Sequence, residues 1–336
     1  MNLPYAQSSS RFLITGAAGF IGGHLTRALL EQGHTVVGVD NFLASSPENF
    51  CTLQGALPPD ARARFHFVEG DLRDADLCMH LMEGVDVVLH HAALASVPRS
   101  IDEPLASHAH NVTTMVNLLE AAKRHRPKAF VYASSSAVYG DDPALPKCES
   151  QRGQALSPYA AAKQMLEDYA ALFHRCYGLS VVGLRYFNVF GPHQAEGGPY
   201  AAVIPAWAGA FMSQRPAVLY GDGSSTRDFV SVHDVVRANL LAAAFASSSP
   251  VCAVYNIGTG LRTPLIGLYE TMAACWGEVS CPPTFLPERP GDIPHSVADI
   301  SLAKQDLGYA PQTDLKEALA ETLSWYKSRH SAHPFK

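Results

Sequence analysis

The sequence predicts an α/β fold, a doubly wound parallel sheet with a smaller C-terminal α/β domain. In the first half, short segments that are apolar at nearly every position alternate with longer segments of helical periodicity. Strands of this kind are typical of a parallel sheet covered by helices on both faces. After residue 187 the alternation is lost, and Gly and Pro become dense, as in residues 191–199. We therefore expect domains at residues 1–186 and 187–336, with 232–257 as a segment that can return to the first.

Six strands are predicted in the first domain, each bounded by turn residues or by a helical pattern. They cover residues 12–15, 35–40, 65–68, 85–90, 129–133 and 181–185. Residues 21–32 form the helix after the first strand, and Gly33 is a suitable stop for it. In the second half, helices are expected at residues 203–212, 232–246, 265–276 and 315–327.

The composition fits a folded protein in a reducing compartment. Of the 336 residues 47% are hydrophobic and 17% are charged, which allows a large core. The net charge of -6 argues against nucleic acid or an anionic membrane as the partner. Seven cysteines without a Cys-x-x-Cys spacing, no signal-peptide pattern and no long apolar run predict a cytoplasmic protein without disulfides.

A glycine-rich turn joins the first strand to the first helix. Its pattern is Gly16-x-x-Gly19-x-x-Gly22, with Phe20 and Ile21 at the start of the helix. The first glycine permits a tight turn, the second lets a pyrophosphate approach the backbone, and the third lets helix and sheet pack closely. The helix N-terminus then faces the phosphates. The alternative is a turn without a ligand, but the strand–turn–helix context favours a Rossmann-type dinucleotide site.

Carboxylates follow the second and third strands. Asp40, next to Asn41, ends the second strand 18 residues after Gly22. A carboxylate at this place accepts hydrogen bonds from ribose hydroxyls and repels a 2′-phosphate, so NAD is predicted rather than NADP. The alternative is that Asp40 only caps the strand end. Asp71 and Leu72, after the third strand, are expected beside the adenine.

Tyr159 and Lys163 open the helix that follows the long loop after the fifth strand. Four residues apart, they share one helix face. A lysine ammonium and a nicotinamide cation nearby favour the phenolate form of a tyrosine, which can act as general base toward a hydroxyl group. Ser135, and after it Ser136, can orient that hydroxyl from the end of the strand. The alternatives are an ordinary surface pair of side chains and serines that only cap the loop.

Taken together, these motifs resemble the extended short-chain dehydrogenase/reductase family, and in particular its nucleotide-sugar 4-epimerases. The resemblance runs from about residue 11 to residue 326. Besides the two motifs above, it includes His91-Ala92-Ala93, Asn111 and the segments 184–192, 221–229 and 289–292. Segments 95–100 and 139–147 resemble bacterial UDP-N-acetylglucosamine 4-epimerases.

The resemblance implies further contacts with NAD and with a UDP-sugar. For the cofactor these are His91, Ala92, Ala93, Asn111 and Phe187. For the substrate they are Ser96, Arg99, Ser135, Tyr159, Asn188, Val203, Val218, Tyr220, Arg227, Arg289, Asp292 and Ser296. Arginine forks suit a diphosphate, but ion pairs of Arg227 with Asp228 and of Arg289 with Asp292 are an alternative.

The resemblance also bears on the substrate. Ser296 stands where UDP-galactose epimerases often carry a tyrosine, so an N-acetylated sugar is expected to fit. Ser136 and Ala137 replace the acidic pair of the related dehydratases, which argues against elimination of water. UDP-glucose and UDP-uronic acids stay open as substrates, and a non-catalytic NAD-sensing regulator is the rival from another class.

Two further expectations concern partners. Leu166, Tyr169, Leu172 and Phe173 surround the helix of residues 157–176, so they cannot all meet one sheet. Because family members pair such helices, a homodimer is expected. The histidines His90, His91, His108 and His110 lack companions at ligand spacings, so no metal site is predicted.

Overall fold

A computed structural model of the chain describes residues 9–47, 50–51, 55, 57–195, 202–279, 281–288 and 293–332. Its strands are β1 (Arg11–Thr15), β2 (Thr35–Asp40), β3 (Phe65–Glu69), β4 (Val87–His90), β5 (Ala129–Ser135), β6 (Val181–Tyr186), β7 (Asn188–Phe190), β8 (Val218–Tyr220), β9 (Thr226–Arg227), β10 (Phe229–Ser231), β11 (Cys252–Ile257), β12 (Thr263–Pro264) and β13 (Thr284–Leu286).

The helices over the described residues are α1 (Phe20–Glu31), α2 (Pro59–Ala63), α3 (Ala75–Leu81), α4 (Val97–Asp102), α5 (Pro104–His108), α6 (Thr114–His125), α7 (Pro158–Tyr177), α8 (Val203–Met212), α9 (Val232–Ser248), α10 (Leu265–Trp276), α11 (Ser301–Leu307) and α12 (Leu315–Ala332). A π-helical turn (Ala109–Thr113) precedes α6, and a 3₁₀ turn (Ser136–Tyr139) follows β5.

Seven strands form one parallel sheet in the order β11-β6-β5-β4-β1-β2-β3. On one face α1, α9 and α11 pack around residues such as Leu25, Leu240 and Leu307. On the other face α3, α6 and α7 pack around Met115 and Leu166. The central strands β1, β4 and β6 are buried on both sides, which explains their nearly continuous apolar sequences. The predicted doubly wound α/β fold is confirmed.

The register of the strands brings the loops of interest to one edge of the sheet. Thr15, the last residue of β1, is level with His90, the last residue of β4. Its hydroxyl oxygen accepts the N–H groups of His91 and Ala92, both at 3.0 Å. In parallel sheets, ligands bind beyond this carboxyl edge.

The second half of the chain contributes to two places. Helix α9 packs on α1 and β5, and β11 pairs in parallel with β6, so residues 232–257 are part of the large sheet and its cover. The other elements form a separate core in which α8, α10 and α12 enclose Trp207, Leu268 and Leu323. Three two-stranded sheets, β7–β10, β9–β12 and β8–β13, connect the two parts.

The sequence also makes predictions about membrane-spanning helices and about the cysteines. Within the described ranges, no helix has the length and apolar character that crossing a bilayer requires. All seven cysteines are free thiols, as expected without disulfides.

Candidate active site

The glycine loop has the backbone shape that requires glycine at two places. Gly16 has φ +69°, and a Cβ on it would lie 2.9 Å from the backbone nitrogen of Ala92. A Cβ on Gly22 would lie 2.0 Å from the carbonyl oxygen of Gly16. Gly19 is the N-cap of α1 and has no side chain to cover the first helical turn. The positive end of the α1 dipole therefore faces the space beyond the sheet.

That space is a cavity along the carboxyl edge of the sheet. The predicted cofactor and catalytic residues that line it are Gly16, Gly19, Phe20, Ile21, Gly22, Asp40, Asn41, Asp71, Leu72, His91, Ala92, Ala93, Ser135, Tyr159, Lys163 and Phe187. Residues from both distant motifs thus meet in one place, as a dinucleotide with a reacting group at one end requires.

Asp40 is both a strand-end cap and a residue of the cavity. Its Oδ2 accepts the N–H of Ala18 at 3.0 Å, and its Oδ1 accepts the N–H of Phe42 at 2.8 Å and the hydroxyl of Ser45 at 2.9 Å. The carboxylate is therefore held in a fixed orientation at the end of β2. Three of the about four lone-pair sites of the carboxylate are used, so Oδ2 keeps acceptor capacity for a ribose hydroxyl.

Asp71 is held by charged and neutral donors. Arg73 forms a fork with it, with Nη2 2.7 Å from Oδ2 and Nε 3.0 Å from Oδ1, and Asn41 Nδ2 donates at 3.1 Å. These hydrogen bonds, that of the Arg73 side chain first, hold the pKa of the Asp71 carboxyl well below its usual range. Asp71 stays ionised, and the Asn41 side chain is fixed beside the cavity.

Helix α7 presents Tyr159 to the cavity. Ser157 caps the helix through the N–H of Ala160 at 3.1 Å, and the N–H of Tyr159 donates to the hydroxyl of Ser100 at 3.1 Å. Burial raises the pKa of the Tyr159 phenol, and a hydrogen bond with the Ser135 side chain opposes this. Burial therefore disfavours the phenolate form, and a positive charge beside the phenol would favour it.

Lys163 lies one turn further along α7. Its Nζ donates to the carbonyl oxygen of Ala133 at 2.6 Å and is 5.7 Å from the centre of the Tyr159 ring. Burial lowers the pKa of this lysine to about 8, and the nearby carboxylate of Glu167 opposes the decrease. The ammonium form thus prevails near neutral pH, within reach of the phenol.

His91 lies behind the cavity in a hydrogen-bonded set. Its Nε2 is 2.9 Å from the hydroxyl of Tyr186, which also interacts with Asn239 at 2.8 Å. Burial lowers the pKa of His91 to about 4, so its imidazole is neutral at pH 7. A neutral ring leaves Lys163 as the positive side chain at this end of the cavity.

A second cavity of about 890 Å³ lies against the C-terminal part. Of the predicted substrate residues, it is lined by Asn188, Val203, Val218, Tyr220 and Arg227. Val189 and Gln194 line both cavities, so the two spaces adjoin at these residues. A ligand that fills the second cavity can therefore extend to the first.

The alternative for Arg227, an ion pair with the next residue, is wrong. Asp228 is buried and its carboxylate accepts the N–H groups of Thr259 at 2.7 Å, Gly260 at 2.9 Å and Ala298 at 3.1 Å. The guanidinium of Arg227 instead donates to the carbonyl oxygens of Thr226 and Pro294. Asp228 therefore organises the loops around Arg227.

Some predicted residues lie outside the lining of both cavities. The side chain of Asn111 is bound to the backbone of Leu94, with Oδ1 3.0 Å from its nitrogen, and its contact with the cofactor stays a prediction. Arg99 pairs with Glu103 at 3.2 Å, and Ser96 caps α4. These local bonds turn their polar groups away from the cavities.

Four predicted residues remain, of which the structure describes Ser136 and Ser296. Ser136 begins the 3₁₀ turn after β5 and does not line the cavity, so Ser135 alone is placed beside Tyr159. Ser296 donates its backbone N–H to the carbonyl of Thr226 at 3.1 Å and lies near the second cavity without lining it. Arg289 and Asp292 fall outside the described residues.

Sequence reasoning missed several residues of the cavities. Ser45 bonds Asp40, while His110 and Thr114 approach from the π-helical turn and α6. Gln194 has a buried Oε1 without a partner in the structure, and its Nε2 donates to the carbonyl of Val189 at 3.2 Å. Gln194 follows the turn after β7. Its position after a strand is the sequence feature that could have marked it as a candidate site residue.

The described residues were also searched for metal sites. No group of three or more His, Cys, Asp or Glu side chains in these ranges could hold a metal ion.

The fold and the first cavity define a Rossmann-type dinucleotide-binding protein with a tyrosine and a lysine beside the ligand. The chain belongs to the NAD dependent epimerase/dehydratase family, whose sequence model matches residues 12–258. Its cofactor is NAD, and the residues fit this group, because Gly16 and Gly22 form the tight turn that brings the N-terminus of α1, capped by Gly19, to the edge of the cavity.

Relatives match over nearly the whole chain. A UDP-glucose 4-epimerase of Mycolicibacterium smegmatis is 37% identical over 95% of this chain and 99% of its own. A UDP-N-acetylglucosamine 4-epimerase from Methanobrevibacter ruminantium, solved with UDP-N-acetylmuramic acid, is 38% identical with a TM-score of 0.88, over 96% of this chain and 100% of its own. A UDP-glucuronic acid 4-epimerase from Bacillus cereus, solved with UDP-glucuronic acid and NAD, is 30% identical with a TM-score of 0.84, over 95% and 99%.

Proposed function

We propose that this protein interconverts UDP-N-acetylglucosamine and UDP-N-acetylgalactosamine by inverting carbon 4 of the sugar with bound NAD. The chain is an NAD-dependent UDP-sugar 4-epimerase, a class named in all three relatives described above. The observation that supports the reaction most is the junction of the two cavities at Val189 and Gln194, in the wall that both share. There a sugar attached to UDP in the second cavity can reach Tyr159 and the cofactor in the first.

The two parts of the chain hold the two ligands. Residues 1–186, together with the returning segment 232–257, hold NAD in the first cavity. The remainder of 187–336 holds UDP, with Arg227 at the diphosphate because an arginine fork matches phosphate oxygens. Arg289 and Asp292 stay predicted members of the UDP site.

The side chains at the junction carry the proton chemistry. Bound NAD would supply a hydride acceptor and donor at carbon 4 of the sugar, so the reaction would involve no net oxidation. Tyr159 takes the proton of the 4-hydroxyl as general base and later gives it back. Ser135 orients that hydroxyl and stabilises the phenolate, and Lys163 supplies positive charge and holds the ribose of the cofactor.

The raised pKa of Tyr159 couples this base to the cofactor. Burial keeps the phenol protonated in the protein alone, and the nicotinamide cation adds the charge that favours phenolate. The base is therefore formed only when the hydride acceptor is in place. This arrangement suits an enzyme that keeps its NAD through the whole reaction.

Two features favour an N-acetylated sugar as the substrate. Ser296 is small, which leaves room for the acetamido group. The unpartnered Oε1 of Gln194 can accept from a sugar hydroxyl or amide N–H.

Product analysis tests the substrate. The purified protein is incubated without added cofactor with UDP-N-acetylglucosamine, UDP-glucose or UDP-glucuronic acid, and the products are identified by NMR. We expect the C4 epimer of the N-acetylated sugar to form at the highest kcat/KM. A preference for UDP-glucuronic acid would replace the proposed substrate with the uronic acid. Failure to epimerise any of the three would overturn the function itself.

A size variant sharpens this test. Ser296→Tyr is expected to lower kcat/KM for UDP-N-acetylglucosamine about tenfold or more and to change that for UDP-glucose much less, since one misfitted group costs ~1–3 kcal/mol. Ser296→Ala is the matched control, because it keeps the space. Equal losses on both sugars would remove Ser296 as the determinant of size.

A further inference from the structure

Helix α7 carries a third polar side chain in line with the two that serve the reaction. Tyr159, Lys163 and Glu167 are spaced by four residues and so share one face of the helix. Tyr159 and Lys163 line the cofactor cavity, whereas the side chain of Glu167 is only 5% exposed and lies one turn deeper. A buried carboxylate is costly unless it is paired and hydrogen-bonded, so its partners indicate its purpose.

Two partners of Glu167, Ser134 and Arg185, belong to the strands that carry the site, and a third, Arg152, precedes α7 and has its Nη1 3.5 Å from Oε2. Its Oε1 accepts the hydroxyl of Ser134 at 2.6 Å and the Nε of Arg185 at 2.9 Å, and its Oε2 accepts Nη2 of Arg185 at 2.8 Å. Ser134 stands on β5 between Ala133, whose carbonyl binds Lys163, and Ser135, which interacts with Tyr159. One carboxylate therefore fixes the catalytic end of β5 against α7.

Charge gives Glu167 a second effect. Lys163 and Arg185 are both buried cations, and Arg185 is fully engaged, with Nη1 directed to the carbonyl oxygens of Glu149 and Gln151. The carboxylate of Glu167 is the negative group one turn from Lys163, and it favours the ammonium form against burial.

We propose that Glu167 is a positioning residue of the reaction, which holds Ser135 and Tyr159 in register and keeps Lys163 protonated. This inference rests on the proposed function, because it assigns a role in the same proton transfer. It predicts a readout that a purely structural carboxylate would not change. Removal of the charge narrows the pH range of activity from the alkaline side, since Lys163 then loses its proton at lower pH.

The primary variant is Glu167→Gln, which keeps the shape and removes the charge. We expect kcat at pH 8 to fall about tenfold, while KM for the UDP-sugar stays within about twofold of the unmodified value. The alkaline limb of the pH profile of kcat is expected to move to lower pH by about one unit. Bound NAD is expected to remain. A profile and kcat equal to those of the unmodified enzyme would refute the proposal.

Two controls separate positioning from folding. Glu167→Gln leaves the buried Arg185 without its carboxylate partner, which by itself destabilises a protein. The double variant Glu167→Gln/Arg185→Met removes both charges, and we expect it to keep the shifted limb. Recovery of the original pH profile in the double variant would also overturn the proposal. Glu120→Gln, which removes a carboxylate from a surface pair with Lys123, is the matched control.

An optical titration makes the result independent of the substrate. Phenolate absorbance of the NAD-bound protein is measured against pH, and the Tyr159→Phe spectrum is subtracted to isolate one phenol. We expect Glu167→Gln to raise the pKa of Tyr159, because a less protonated lysine supports phenolate less. An unchanged titration contradicts the role of Glu167 even if no UDP-sugar is turned over. A shifted titration without epimerisation contradicts the proposed function instead.

Discussion

At the scale of single residues, burial and charge act against each other on the phenol of Tyr159. Burial alone makes the side chain a weaker acid than free tyrosine, and Ser135 recovers part of the difference. Lys163 is close, but its own pKa is lowered to about 8 by the same burial. The proposed chemistry therefore depends on how several charges are combined within one cavity.

The first prediction concerns Tyr159. Tyr159→Phe is expected to lower kcat at least a thousandfold, since a positioned acid–base group contributes ~10²–10⁴-fold. NAD content, measured after denaturation, should be unchanged because the backbone and ring stay in place. Tyr169→Phe, on the outer face of the same helix, is the matched control. Near-normal turnover by Tyr159→Phe would show that another group removes the proton.

The positions of some site residues can be predicted from the sequence alone, and those of others cannot. Gly16, Asp40, Tyr159 and Lys163 could be placed because their spacing around strands and helices is set by backbone geometry. Asn111 could not be placed, because its amide binds Leu94 of a loop 17 residues earlier, and that pairing exists only in the folded chain. The same holds for Asp228, whose donors come from two loops well after it in sequence.

At the scale of elements, the strands were predicted well and their ends less so. Strand β5 continues through Ser134 and Ser135, because both pair with β6 at Arg185 and Tyr186. Polar residues at the end of a buried strand look like the start of a loop. Strand β11 was flagged only as part of a returning segment, since its partner β6 lies about 70 residues earlier in the chain.

Helix α7 has two apolar sides, and the sheet covers only one. Leu166 and Phe173 are buried against the sheet, whereas Met165, Tyr169 and Leu172 are 42%, 37% and 38% exposed. An apolar stripe on an exposed helix is typical of a contact with another helix. We propose that two copies of the chain pair through α7.

The second prediction tests this contact. Tyr169→Glu/Leu172→Glu is expected to convert a dimer to a monomer in light scattering, because each subunit would bury a charge against an apolar surface. Leu302→Glu, at an equally exposed leucine of α11, is the control and should leave the dimer intact. A wild-type protein that is monomeric at all concentrations would contradict the proposal.

At the scale of the whole molecule, three histidines join the sheet domain to the C-terminal helix. The ring of His24 in α1 lies 5.6 Å from that of His193 and 5.9 Å from that of His233 in α9. His233 Nε2 is 2.9 Å from a carboxylate oxygen of Glu321 in α12. Burial first, and then its histidine neighbours, lower the pKa of His24 to about 4.

The third prediction follows from the sign of that shift. The pKa of His24 is lower in the folded than in the unfolded chain, so its contribution is fully present above pH 6.5 and is lost as the pH falls toward 4. We expect the free energy of unfolding to fall by on the order of 2 kcal/mol over this range. Denaturant titrations at several pH values measure it.

Variants identify the source of this dependence. His24→Gln should flatten the fall in the free energy of unfolding below pH 6.5, since the amide does not titrate. His125→Gln, on the exposed end of α6, should leave the slope unchanged. An equal slope in the wild type and His24→Gln would assign the effect to another buried histidine with a lowered pKa, such as His91 or His193.

The return of β11 to the large sheet has a consequence for how such a chain can be divided. A fragment ending at residue 186 would expose the hydrogen-bonding groups of β6 that β11 covers, and open strand edges recruit other chains. The part of the fold that holds the dinucleotide is therefore not encoded by one continuous segment of the sequence. New substrate preferences must arise from changes in the loops between the strands, while the sheet itself is kept unchanged.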